Sequence, residues 1–174
     1  MSMKCIVART QKELDHALQV RWKVFCEELS FIDANQLWVA RESNGFDTLE
    51  TTVHFVVYDG EMPIATARLL LPNPEVAQLT GHPLGIDVEN KVNLNPLVRE
   101  GLSLAETTRL CVLAPWRRSS AFLKLIAAMH KESRRRGVTH WIAAANADTD
   151  SLEDARIVMR LARNLGFASD RIWV

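Results

Sequence analysis

Apolar residues recur along this chain with two different periods, and these divide it into strands and helices. Alternation in KCIVAR (Lys4 to Arg9) predicts a short strand. From Gln11 to Leu29 the period is helical: at about 100° per residue, Leu14, Leu18, Phe25 and Leu29 fall in one stripe. Ser30 to Thr51 is a long stretch with few periodic signals. Thr52 to Leu71 predicts two strands around the turn Asp59-Gly60. Pro72 to Arg99 holds four prolines and mixed polarity, and predicts an excursion outside the core sheet. LSLAETTRLCVLAPWRRSS (Leu102 to Ser120) starts as a strand and ends as a helix start. In that strand Leu102, Leu104, Leu110 and Val112 would share one face with Glu106. A helix from about Ser120 to Arg136, stopped by Gly137, leads to a strand over Val138 to Ala145. A helix over Asp150 to Leu165 has a capping-box pattern, Asp150 with Glu153, and Gly166 after its end. RIWV closes the chain as a last strand. Antiparallel early strands and a later β-α-β unit imply an α/β fold: a mixed sheet with helices on both faces.

Several charges sit where this pattern expects apolar side chains. Arg21 falls inside the stripe of the first helix and Glu28 at its edge, although Lys12, His16, Gln19, Lys23 and Glu27 already supply the polar face. A guanidinium facing a core must be paired, because an isolated buried charge is costly. Alternatively, Arg21 snorkels at the rim. Arg68 shares a strand face with Ile64 and Leu70, and Glu106 lies in an apolar row with Arg109 close by. Arg21, Arg68 and Arg109 with Asp47, Glu50 and Glu106 could thus form one network. Such a network is either a structural set of ion pairs or a functional site with shifted pKa values. Arg117-Arg118-Ser119-Ser120, leading into a helix, offers backbone N–H groups beside two cations, a place for phosphate. Serine caps before helices are also common. The Arg134 to Arg136 run is either a solvated helix end or a docking surface for an acidic partner.

Composition narrows the classes. The chain has 174 residues, matching a single domain over 1–174, with 21 basic and 21 acidic side chains. That balance argues against general nucleic-acid binding. No apolar run spans a bilayer, and the start lacks a signal-peptide core. Cys5, Cys26 and Cys111, far apart in apolar surroundings, read as free thiols of a cytoplasmic protein. No zinc-binding spacing occurs, so no metal site is expected.

Together these residues resemble the GNAT N-acyltransferases. LARNLGF (Leu161 to Phe167) is similar to the end of the helix after that fold's fifth strand, and VLAPWRRSSAF (Val112 to Phe122) stands at its pyrophosphate loop. Within that superfamily the chain most resembles the acyl-homoserine-lactone (autoinducer) synthases of quorum sensing and the long-chain N-acyl amino acid synthases. Their R-x-x-x-F is Arg21 to Phe25 here, F-D-x-x-[DE] is Phe46-Asp47 to Glu50, R-L is Arg68-Leu69, and E-x-[ST]-R is Glu106 to Arg109. The matches keep their order from about Arg21 to Phe167. The resemblance implies a mostly antiparallel sheet whose fourth strand splays from the fifth, with the acyl thioester in the gap.

It also implies a reaction, amine attack on a thioester carbonyl. Glu106 would be the general base. Arg21, Phe25, Asp47, Glu50, Arg68 and Arg109 would hold the acceptor. Backbone N–H groups near Leu110 to Val112, freed by a bulge or splay, would bind the oxyanion, and Arg117, Arg118, Ser119 and Ser120 the donor phosphate. An acyl chain would pass Trp141 and Met129. No cofactor would be tightly bound; acyl carrier protein or acyl-CoA is the co-substrate, and a small amine the acceptor. Ser120 and Phe122 replace small residues of the usual loop, which favours a carrier-protein donor. The acceptor amine would be that of an amino acid or S-adenosylmethionine; Phe31, where the lactone synthases have tryptophan, weakens the case for the latter, and ETTVHFVVYD (Glu50 to Asp59) reads closer to the N-acyl amino acid synthases. The rival classes are an ordinary acetyl-CoA-dependent acetyltransferase and a non-catalytic acyl-thioester binder.

Overall fold

A computed structural model describes residues 3–144. The helix expected over 150–165 and the strand RIWV lie outside them, as does the domain's extent beyond Ala144. Five strands form one sheet in the order β1 (Lys4–Val7), β2 (Thr52–Asp59), β3 (Met62–Leu70), β4 (Leu104–Val112) and β5 (His140–Ile142). The first four are antiparallel; β5 joins β4 in parallel. This is the mixed, mostly antiparallel sheet that the pattern implies. Two helices sandwich it. α1 (Gln11–Arg21) packs across β2, β3 and β4 on one face, and α4 (Ala121–Arg135) packs on the other. Among the described residues no helix is long and apolar enough to cross a membrane.

The two sheet faces differ in chemistry. Toward α4, Val53, Phe55, Val57, Ala65, Ala67, Leu69 and Ala105 close on Ala121, Leu125 and Met129 in one dry core. The α1 face is polar at its centre. Alternation puts His54, Thr66, Arg68 and Glu106 there, all buried.

Two local departures shape that face. The first helix does not run on to Leu29 as one α-helix. After Arg21 the chain winds as a seven-residue π-helix, Trp22–Glu28, closed by Leu29 N–H donating to Val24 C=O at 2.9 Å. The i→i+5 winding re-phases the stripe, so Cys26 turns inward and Leu29 outward. The second departure is in β4. Thr66 pairs with Cys111 but Arg68 pairs with Thr108, so one residue of β3 faces two of β4. The bulge contains Arg109, whose φ is 55°. Strict alternation therefore fails. Glu106 stays on the α1 face, opposite Ala105, whereas Leu110 and Val112 turn to the α4 core. The expectation that Leu110 and Val112 share a face with Glu106 is overturned by this one extra residue. Leu102 lies before the strand.

The excursion carries α2 (Pro74–Thr80), a 3-10 turn over Asp87–Asn90 and α3 (Asn95–Arg99). It covers one end of the α1 face, where Ile86, Val88 and Leu94 bury Leu70. Buried Glu89 ties the loop together, accepting Leu84 N–H and Ile86 N–H, both at 3.0 Å. Gly85 holds a left-handed φ of 68°, and a Cβ there would collide with Asn73 C=O and Ala77 N–H. Gly85→Ala should lower stability by more than about 1–2 kcal/mol, the left-handed cost alone. Urea unfolding checks this; an unchanged midpoint would contradict the tight seat.

Candidate active site

The buried charges of the α1 face meet in one cluster. Arg21, the last α-helical residue before the π-helix, is wholly buried. It donates from Nη1 and Nη2 to Asp47 Oδ1 and Oδ2 at 2.7 and 3.1 Å, and from Nε to Glu42 Oε2. Arg68, equally buried, donates from Nη1 to Asp47 Oδ1 and to Asn44 Oδ1, both at 2.7 Å. Arg109 donates from Nε to both Glu42 oxygens at 3.2 Å. His54, the cross-strand partner of Arg68, makes a 3.0 Å contact from Nε2 to the Asp47 carbonyl oxygen. The long loop without periodicity supplies Glu42, Asn44 and Asp47 from within six residues. Asp47 Oδ2 also accepts Asn44 N–H at 2.8 Å, which turns the loop on itself.

Electrostatics follow from this wiring. Burial would raise the Asp47 pKa, but the Arg21 hydrogen bonds and the Arg21 and Arg68 charges outweigh it and hold Asp47 at about 2. Burial likewise works against charged Arg21, and the hydrogen bonds it donates to Asp47 and Glu42 overcome it. Arg68 is less well served: among the described residues its Nε and Nη2 have no hydrogen-bond partner, and burial leaves its pKa lowered. Asp87 Oδ2 lies 3.8 Å from its Nη2. Burial also lowers the pKa of His54 and keeps the ring neutral.

Glu106 stands apart from these pairs. It is buried, and its Oε2 accepts Val88 N–H at 2.9 Å. Among the described residues it makes no ion pair; Arg68 uses Asp47 and Arg109 uses Glu42. Its pKa is raised, chiefly by burial and further by nearby Asp87, against the pull of Val88 N–H, Arg68 and Arg109. Glu106 sits where β4 loses its outer neighbour. β5 pairs only with Leu104, Ala105 and Glu106, and among the described residues nothing pairs with that edge beyond. Pairing between the two strands thus ends at Glu106 within the described residues.

The other expected site residues are less concentrated. Glu50 is exposed and outside the arginine cluster; Glu42, four residues before the Phe46 that opens the F-D-x-x-[DE] window, takes the place expected of it. Phe25 is half-buried, against Val20, Val24, Cys111 and Leu113 beside the end of β4. Arg117 is engaged, with Nη2 2.5 Å from Glu28 and Nε donating to Val112 C=O at 3.2 Å. Ser119 Oγ donates to Trp116 C=O at 2.6 Å and accepts Ala121 N–H at 3.2 Å, so it caps α4. Ser120 Oγ lies 3.8 Å from Met3 Sδ, and Arg118 is solvent-exposed. Met129 is fully buried under α4, and Trp141 donates to Ser133 Oγ at 2.8 Å. Glu42 and Asn44 lie outside the loop's F-D-x-x-[DE] motif and are not among the expected site residues. The sign available was a carboxylate and an amide at spacings of five and three before Asp47. Among the described residues no His, Cys, Asp or Glu group is arranged to hold a metal, and the three cysteines are free thiols.

Comparison with known proteins agrees with this architecture. The sequence model of the family described as FeeM, N-acyl amino acid synthase, matches residues 16–151. The chain belongs to that family. It is therefore an N-acyltransferase of the GNAT fold. The structure of FeeM, an N-acyl amino acid synthase from uncultured soil microbes, superposes with a TM-score of 0.66 at 14% identity, over 87% of this chain and 76% of that one. An aminoglycoside acetyltransferase, AAC(6')-Iy, in complex with a CoA bisubstrate analogue gives a TM-score of 0.61 at 14% identity, over 100% and 97% of the two chains. A ribosomal-protein-alanine N-acetyltransferase from Brucella melitensis biovar Abortus 2308 gives 0.59 at 12% identity, over 99% and 96%. Among curated proteins none matches by sequence. In this N-acyl amino acid synthase family member the E-x-[ST]-R strand, the R-L strand and the arginine of the first helix converge on one face, as described above.

The cluster dictates an acid response. Asp47, about 2 in the fold against 3.8 as the ordinary value, contributes stability that is complete above about pH 4 and lost as pH falls toward 2. His54, lowered from 6.5, binds its proton more readily when unfolded, so stability also falls as pH drops below about 6.5. Urea midpoints should decline from pH 7.5 to pH 5. His54→Gln should flatten that first decline and leave the later one, with Asp47→Asn costing about 3–5 kcal/mol at neutral pH.

Proposed function

We propose that the chain transfers a long acyl group from a carrier-protein thioester to the α-amine of an amino acid. The observation that carries this reading is a buried carboxylate that, among the described residues, is no cation's counterion. Arg68 and Arg109 each have another partner, the Glu106 pKa is raised, and it stands at the last β4–β5 pair. A purely structural counterion would not be left so. Glu106 takes a proton from the acceptor ammonium. The freed nitrogen lone pair attacks the thioester carbonyl carbon, and a C–N bond forms. The oxyanion is met by backbone N–H groups near Leu110 to Val112, next to the bulge. Collapse breaks the C–S bond, the leaving carrier thiolate takes the second proton of the nitrogen to become the thiol, the amide is left neutral, and Glu106 sheds the first proton to solvent. The acceptor carboxylate is drawn to the open side of Arg109 and the charge of Arg68.

The donor side rests on α4. Its first-turn N–H groups and exposed Arg118 suit a single phosphate. Lys131 and Arg134 add exposed cations, while Arg135 and Arg136 are taken up by Glu132. That supports an acidic carrier protein over free CoA, with an amino acid rather than S-adenosylmethionine as acceptor.

Lipid extracts of cells expressing the chain should contain an N-acyl amino acid by mass spectrometry. An acyl-homoserine lactone or no new lipid would overturn the reading. Glu106→Gln should lower kcat by about 10²–10⁴ with the donor still bound, and abolish the acidic limb of the pH profile. Near wild-type turnover would remove Glu106 as base. Arg118→Glu with Arg134→Glu should raise the donor KM and weaken its salt dependence. Equal, salt-insensitive activity with acyl-CoA would contradict the carrier-protein donor.

A further inference from the structure

The bulge in β4 is built on a residue that does not favour it. Arg109 has φ 55°, a left-handed conformation that costs a residue bearing a Cβ and that glycine accepts freely. Such a conformation persists only where its surroundings over-determine it. The Arg109 side chain leads to the reason. Its Nε reaches both oxygens of Glu42, and Glu42 is itself fixed: it is buried, Oε2 is held by Arg21 Nε, and its own N–H donates to Leu18 C=O at 3.2 Å. Arg21 is in turn clamped on Asp47 by two bonds. A rigid chain of contacts thus runs from the end of α1 through Glu42 to the guanidinium of the bulged residue.

We propose that Glu42 is a positioning residue for acyl transfer. By tethering the Arg109 side chain it holds the left-handed backbone at 109, and so aims the N–H groups of the bulge at the thioester oxygen. This rests on the acyl-transfer reading above. It assigns Glu42 no contact with substrate and no proton.

The logic gives a test, because glycine needs no tether. Arg109→Gly and Arg109→Ala remove the same guanidinium and both leave the buried Arg21–Glu42 pair intact. The glycine variant should keep the higher kcat by about tenfold and melt at the higher temperature. Glu42→Gln should lower kcat by about tenfold in the Arg109 protein at unchanged donor KM, and by less than about threefold when combined with Arg109→Gly. Equal kcat for the glycine and alanine variants would overturn the proposal, as would the same loss from Glu42→Gln in both backgrounds. Should Glu42→Gln not fold, Glu42→Asp, which keeps the charge and withdraws it by one methylene, replaces it in both backgrounds. Should the wild type transfer no acyl group, the function fails but the tether is still tested: Glu42→Gln should lower the melting temperature more in the Arg109 protein than in the Arg109→Gly variant, and an equal loss in both would overturn it.

Discussion

One carboxylate organises this molecule. Asp47 receives both terminal nitrogens of Arg21 and one of Arg68, and its own loop turns on its second oxygen. Without it two guanidiniums would stand buried beside each other, and the helix carrying one would be repelled from the strand carrying the other. The pairing explains how a long stretch without periodicity is ordered. Between the π-helix and β2 the chain leaves Phe31, Trp38 and Val39 exposed rather than burying them in a core. It is fixed instead by the polar side chains it sends under α1. The cluster therefore ties together the end of α1, the middle of β3, the bulge of β4 and the loop that closes over them.

The cost of that arrangement is unevenly distributed. Arg21 has every nitrogen bonded, whereas Arg68 and His54, paired across β2 and β3, keep polar atoms that no group among the described residues satisfies. The fold is thus tight at the helix end and under-satisfied at the sheet. Glu106 lies on the under-satisfied side, screened from water by the excursion through Val88. A carboxylate in that setting binds a proton more readily than one in solution, and the charges of Arg68 and Arg109 limit how far this goes.

Much of this was legible in the letters. Strand alternation and the Asp59-Gly60 turn place β2 and β3 within a residue of their bounds, and the stripe position of Arg21 correctly signals a buried charge. What escaped has a common physical cause. A π-helix and a β-bulge each add a residue to a repeating pattern, and every side chain beyond the addition changes face. Leu29, Leu110 and Val112 all lie just past such a point. Glu42 escaped for another reason. Its role depends on two arginines distant in sequence, Arg21 and Arg109, and no local spacing in its own loop reveals which cations will arrive there.

The wide winding of Trp22–Glu28 gives that segment a tolerance of length. A relative one residue shorter would keep both ends in place by winding the same stretch as an ordinary α-helix. The difference would be absorbed inside a helix rather than in a loop, where gaps in an alignment are usually sought. Distant homology is then lost in the letters just after the arginine that anchors the core. It persists in space, as it does here at 14% identity.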